Sequence, residues 1–118
     1  MAKVALEKPE IYSNKQKRTT EEYKSFKFDS PWELIVAKFL DLKNIKWTRP
    51  IKPIPYFWNN KWHLYFPDFY LLEKDIFIEV KGYETERDIA KWKVVEKLIV
   101  IKQKEIKQII SGNFVLVL

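Results

Sequence analysis

Hydrophobic and polar positions divide the 118-residue chain into an unpatterned opening and a strongly patterned remainder. Residues 1–29 are polar and mixed in charge, with Tyr12, Tyr23, Phe26 and Phe28 as scattered anchors, and read as an N-terminal arm or short helix. At Ser30 the pattern sharpens. Ser30-Pro31-Trp32-Glu33 sets a capping side chain, a proline at the first helical position and a glutamate at the third, and predicts a helix from Pro31 to about Lys43. Trp32, Ile35, Val36, Phe39 and Leu40 supply its apolar faces.

From Ile45 to Leu72 the residues turn β-branched and aromatic, and Pro50, Pro53 and Pro55 forbid a continuous helix. Asn59-Asn60 predicts a tight hairpin between Tyr56-Phe57-Trp58 and Lys61-Trp62-His63-Leu64, since asparagine tolerates positive φ. A second hairpin joins Asp68–Leu72 to Ile76–Lys81 through Glu73-Lys74-Asp75. Thr85 then caps a helix to about Lys97, with Ile89, Trp92 and Val95 facing inward. Leu98–Ile101 is a short buried strand, Glu105–Ile110 a last helix ended by Gly112, and Phe114–Leu118 a terminal strand. This order predicts an α/β domain over residues 30–118, a mixed β-sheet flanked by helices, with no internal repeat.

Composition narrows the chemistry. The apolar fraction of 47% supports a real core, and one domain of this length has room for one active site, so a symmetric double reaction needs two copies. Lys and Arg number 22 against 16 Asp and Glu, a net +6 that favours a polyanionic partner. With no cysteine there is no thiolate nucleophile, disulfide framework or Cys-ligated zinc. Two glycines cannot write a nucleotide-binding loop, so no nucleotide cofactor is expected. His63, the sole histidine, excludes multi-histidine metal sites and reads as a packed strand residue. Any metal must be held by carboxylates. No signal-peptide or membrane-spanning stretch is evident, so the expected location is the cytoplasm, the host's if the chain is virus-encoded.

The alternation of Ile76-Phe77-Ile78-Glu79-Val80-Lys81 puts Ile76, Ile78 and Val80 on one face and Phe77, Glu79 and Lys81 on the other, with Glu79 and Lys81 about 7 Å apart. If the hairpin closes through Glu73-Lys74, residues whose numbers sum to 147 are opposite, which sets Asp68 across from Glu79. One step wider sets it across from Lys81. Opposed carboxylates repel and need a cation, supplied in part by Lys81 and in part by a hard divalent ion. The bland alternative makes Glu79 and Lys81 the solvated, salt-bridged side of an amphipathic strand, Pro67-Asp68 an ordinary turn, and Glu33 simple helix punctuation. Flanking aromatics at Tyr65-Phe66 and Phe69-Tyr70 argue against an exposed turn.

Pro67-Asp68, an eleven-residue interval and Glu79-Val80-Lys81 together resemble the PD-(D/E)XK nuclease superfamily. With Ser30–Glu33 ahead, Gly82 following, and Asp88 and Lys91 on the next helix, the string over residues 30–101 resembles the bacteriophage endonuclease I type of Holliday junction resolvase. The resemblance implies a restriction-endonuclease-like fold and hydrolysis of DNA phosphodiesters. It implies Glu33, Asp68, Glu79 and Lys81 as catalytic residues. It also implies Mg²⁺, with Mn²⁺ as substitute, on Asp68, Glu79, the Val80 carbonyl and Glu33. Lys81 would position the attacking water or neutralise transition-state charge. The departure lies before Ser30, where the helix that endonuclease I relatives exchange between subunits has no match.

Residues 38–61 hold six bases against Asp41 alone, interleaved with Trp47, Tyr56, Phe57 and Trp58. Lys43, Lys46, Arg49, Lys52, Lys61 and, farther on, Lys91 are the candidate DNA contacts, on a surface that tracks phosphate or stacks on an unpaired base. The alternative makes the aromatics core and the lysines merely solvated. Lysine predominates over arginine, which favours recognition of backbone and DNA shape over base edges. A homodimer acting on branched DNA is expected, joined through Phe114–Leu118 or through Tyr23, Phe26 and Phe28 of the arm. The competing readings are a nuclease of the same superfamily with a restriction, transposon-end, nicking or single-strand substrate, and a basic DNA-binding module with structural carboxylates.

Overall fold

A computed structural model describes residues 21–23, 26–28 and 30–118. Tyr12 and the rest of residues 1–20 lie outside them. The elements are β1 (Glu21–Tyr23), β2 (Phe26–Phe28), α1 (Pro31–Leu42), β3 (Trp47–Thr48), β4 (Ile54–Trp58), β5 (Lys61–Tyr65), β6 (Phe69–Leu71), β7 (Ile76–Val80), α2 (Glu86–Lys93), β8 (Leu98–Ile101) and α3 (Gln103–Ser111). The architecture is mixed α/β. A four-stranded sheet runs β3-β6-β7-β8, with β3-β6 and β6-β7 antiparallel and β7-β8 parallel. β1-β2 and β4-β5 form separate two-stranded hairpins.

Local chemistry explains the boundaries. Ser30 Oγ accepts the Glu33 N–H at 3.3 Å and proline opens α1. Asn59 and Asn60 take φ of 55° and 65°, the left-handed pair that a two-residue hairpin turn requires. Gly112, at φ 81°, ends α3. α2 stops at Lys93, short of the predicted Lys97, where the β-branched pair Val94-Val95 follows. Ile89 of α2 is exposed, Trp92 is partly buried and Val95 is buried, so only part of the predicted inward face is covered.

The alternation of β7 separates two packed clusters. Ile78 and Val80 join Leu34, Val36, Leu40, Phe69, Leu71, Ile101 and Ile106 on the α1/α3 side. Phe77 turns to the opposite side and packs with Tyr56, Tyr65, Val95, Trp92 and Leu98 beneath α2 and the β4-β5 hairpin. The sheet is therefore covered on both faces. The polar side of β7, open to solvent in the bland reading, is roofed.

Two sequence expectations need correction. Phe26 and Phe28 are buried in this chain's own core, against Trp47 and Phe69. A boundary at residue 29 thus cuts through the core, and neither ring is offered to a neighbour. Phe114–Leu118 forms no strand. Phe114 packs on Phe39 with ring centroids 5.4 Å apart, and Leu116 also leans on the core, while Val115 and Val117 are exposed. The period-2 pattern was real, yet the segment has no ladder partner among the described residues. Among the described residues no helix is long and apolar enough to cross a membrane.

Candidate functional site

The β6-β7 register runs Phe69↔Ile78, Tyr70↔Phe77 and Leu71↔Ile76, which is the 147 register. Continued one step, it sets Asp68 opposite Glu79. Both lie at the end of the sheet where β6 begins and β7 finishes, and α1 brings the Glu33 carboxylate there from its first turn.

Each acid has a defined partner. Asp68 Oδ2 accepts the Val80 N–H at 2.8 Å, so the aspartate is tied to the strand that carries Glu79. Glu79 is 7% exposed, and its Oε1 accepts a 2.9 Å bond from the Tyr65 hydroxyl. Glu33 Oε1 meets Arg49 Nη2 at 3.1 Å, and Arg49 Nη1 donates to the Asp68 carbonyl at 3.0 Å. Lys81 Nζ lies 3.3 Å from Asp88 Oδ1, and Lys91 Nζ 3.7 Å from the same oxygen.

The electrostatics follow from burial and crowding. Burial, then the Glu33 and Glu79 charges, hold the Asp68 carboxyl well above its ordinary value, against the opposing pull of the Val80 N–H and Arg49. Burial pushes Glu79 up to about 7, although the Tyr65 hydrogen bond, Lys91 and Lys81 act in the other direction. The Tyr65 hydroxyl is raised by its own burial and by Glu79. Burial alone would raise Asp88. Bonds from Thr85 and the Lys81 charge outweigh it and leave that carboxyl below its ordinary value. The result is a sheet end with two carboxyls held above their ordinary values beside an aspartate held below its own, which pairs with two lysines.

The structure thus gathers Glu33, Asp68, Glu79, Lys81 and Lys91 at one end of the fold. Lys43, Lys46, Lys52 and Lys61 are exposed, Lys46 within 3.5 Å of Glu73. Arg49 is a correction: it is 5% exposed and its guanidinium lies over both Phe28 and Phe69, at 4.5 and 5.4 Å from the ring centroids. It therefore braces the acids from inside and presents nothing to an external phosphate. Lys81 compensates Glu79 through its charge, while its ion pair is with Asp88 and the cation that acts on Asp68 is Arg49. His63 is the packed residue expected, with Nε2 3.0 Å from the Trp58 carbonyl and Nδ1 3.3 Å from Arg87 Nη2.

Tyr65 and Asp88 acquire roles that sequence reasoning did not give them. The signal for Asp88 was present: Thr85-x-x-Asp88 is a capping box, and the Thr85 N–H and hydroxyl both reach Asp88 Oδ2. Tyr65 becomes legible only once both hairpins are placed on one face of β7.

Among the described residues no three His, Cys, Asp or Glu side chains converge closely enough to hold a metal by themselves. Asp68 and Glu79 nevertheless each keep one carboxylate oxygen outside the hydrogen bonds named above. Comparison of the chain with protein-family models, curated proteins and solved structures finds no match.

Proposed function

We propose that this chain is a metal-dependent DNA endonuclease of restriction-endonuclease-like fold, selective for branched DNA in the manner of junction resolvases and working as a homodimer. The observation that carries the reading is the opposition of half-buried Asp68 and buried Glu79 at one sheet end, both carboxyls held above their ordinary values, with Lys81 and Lys91 alongside. A structural pair of carboxylates gains nothing from this arrangement, which costs like-charge repulsion and desolvation. A cation-binding pair recovers both on loading.

Two carboxylates suit Mg²⁺, which commonly takes one or two from the protein and completes its shell with water and substrate phosphate. Asp68 and Glu79 would hold the ion with the Val80 carbonyl, and Mn²⁺ would substitute. When bound it supplies Lewis-acid polarisation of the scissile phosphate and acidification of a water. The remaining work belongs to the chain. Tyr65 fixes the Glu79 carboxylate, the Val80 N–H fixes Asp68, and Arg49 holds Glu33 beside them. Lys81 and Lys91, anchored on Asp88, add positive charge where a phosphate must sit. Exposed Lys43, Lys46, Lys52 and Lys61 contribute salt-sensitive affinity for the DNA backbone.

The test is cleavage of labelled four-way junction, fork, linear duplex and single strand in Mg²⁺, Mn²⁺, Ca²⁺ and EDTA. Junction cleavage with Mg²⁺ or Mn²⁺, and none with Ca²⁺ or EDTA, is expected. Equal cutting of linear duplex would move the substrate to another branch of the superfamily. Full activity in EDTA would remove the mechanism.

A further inference from the structure

The β4-β5 hairpin stands apart from the four-stranded sheet. Its register assigns every residue to a face. Ile54↔Tyr65, Tyr56↔His63 and Trp58↔Lys61 form one side, Pro55↔Leu64 and Phe57↔Trp62 the other. The first side is the inner one: Tyr56 and Tyr65 are buried there, and Arg87 of α2 bonds the Tyr56 hydroxyl at 2.7 Å. The second side is bare. Phe57, Leu64 and Trp62 are 52%, 64% and 68% exposed, and the Phe57 and Trp62 rings meet edge to face at 5.2 Å. Ile51 and Phe66, just beyond the open end of the hairpin, are exposed as well.

A two-stranded hairpin with one wet apolar face is a marginal element, and a contiguous patch of this kind marks a docking surface. Charge selects the occupant. Lys61 belongs to the inner-face pairs, so the outer-face pairs carry no charge at all. A nucleic acid would find no cation there for its phosphates, and an acidic partner would find nothing to neutralise. A second copy of the chain meets no repulsion on this face despite the net charge of +6. A two-fold axis through the Phe57–Trp62 pair lays one uncharged hairpin face on another at ordinary sheet-packing distance, about 10 Å.

We infer that the outer face of the β4-β5 hairpin, centred on Phe57 and Trp62, is where two copies of this chain associate. The inference is independent of the nuclease reading, because its test contains neither DNA nor metal. Sedimentation velocity from low to high micromolar concentration should show a reversible monomer–dimer equilibrium. Trp62→Ser and Leu64→Ser should each weaken it at least tenfold, with far-UV circular dichroism unchanged because both side chains are mostly solvated in the single chain. Lys104→Ser, at an exposed position of α3, should leave it unaltered. A wild-type chain that stays monomeric throughout would overturn the inference, as would a dimer whose dissociation constant ignores both serine variants.

Discussion

Asp88 holds Lys81 at 3.3 Å from a carboxylate oxygen that also lies 3.7 Å from Lys91. The aspartate is 3% exposed and completes the capping box that opens α2, so one buried carboxylate serves both the helix start and two lysines at the acid cluster. Asp88→Asn keeps an oxygen for the Thr85 N–H and removes the charge. Asp88→Ala removes both. The expected stability order by urea denaturation is wild type, then Asn, then Ala, with the last step about 0.5 to 2 kcal/mol for loss of the cap. DNA cleavage should already fall in Asp88→Asn, as the lysines lose their fixed position.

Arg49 ties Glu33 of α1 to the Asp68 carbonyl, just ahead of β6. Arg49→Met should cost about 3 to 5 kcal/mol, because it strands a partly buried glutamate beside two other acids. Adding Glu33→Gln to that variant should recover part of the loss. A double-mutant cycle by chemical denaturation checks this, and simple additivity of the two changes would contradict the pairing.

Asp68→Asn and Asp68→Ala should differ in sign. Asparagine still accepts the Val80 N–H and relieves the like-charge crowding, so the metal-free melting temperature should rise. Alanine leaves that N–H without its partner and should lower stability by about 1 to 3 kcal/mol. Calorimetry of the two variants separates these outcomes, and equal melting temperatures would count against the Asp68–Val80 link.

In the folded protein Glu79 takes up its proton at about 7, against an ordinary glutamate value of 4.5. Between those values the native state binds more protons than the unfolded chain, so stability falls as pH rises from about 4.5 to 7. At 1.4 kcal/mol per unit the swing is at most roughly 3 kcal/mol, and Asp68 adds to it with the same sign. Asp88, lowered instead, changes stability only at more acidic pH. Urea midpoints at pH 5 and pH 8 should show the decline, and Glu79→Gln should lose much of it. Millimolar Mg²⁺ at pH 8 should restore stability to the wild type but not to Glu79→Gln. A midpoint that climbs with pH would contradict the buried-acid account.

What could be read from the chain was what neighbours in sequence decide. Ser30 and Thr85 announce helices through their own side chains, Asn59-Asn60 dictates a hairpin, and the short Glu73–Asp75 link narrowed the partner of Asp68 to Glu79 or Lys81, of which the structure takes Glu79. What could not be read was which surfaces meet. Arg49 sits in a lysine-rich stretch and looked solvated, and its burial depends on Glu33 arriving from α1 and on the rings of Phe28 and Phe69. The alternation of Phe114–Leu118 was legible, but a strand needs a partner ladder, and the segment uses its inward pair to seal the core instead. The roof over Glu79 comes from α2 and the β4-β5 hairpin together, elements that no local pattern places on the same side of β7.

The central claim is that Asp68 and Glu79 form the cation-dependent centre of a nuclease, and Mg²⁺-dependent junction cleavage by Glu79→Gln beside the wild type tests it most directly. Binding of the junction should be equal in the two proteins, since the exposed lysines are untouched. The account predicts that Mg²⁺ drives cleavage by the wild type and that Glu79→Gln is at least a thousandfold slower. Equal cleavage rates for the two proteins, or a wild type whose rate is indifferent to Mg²⁺, would contradict it.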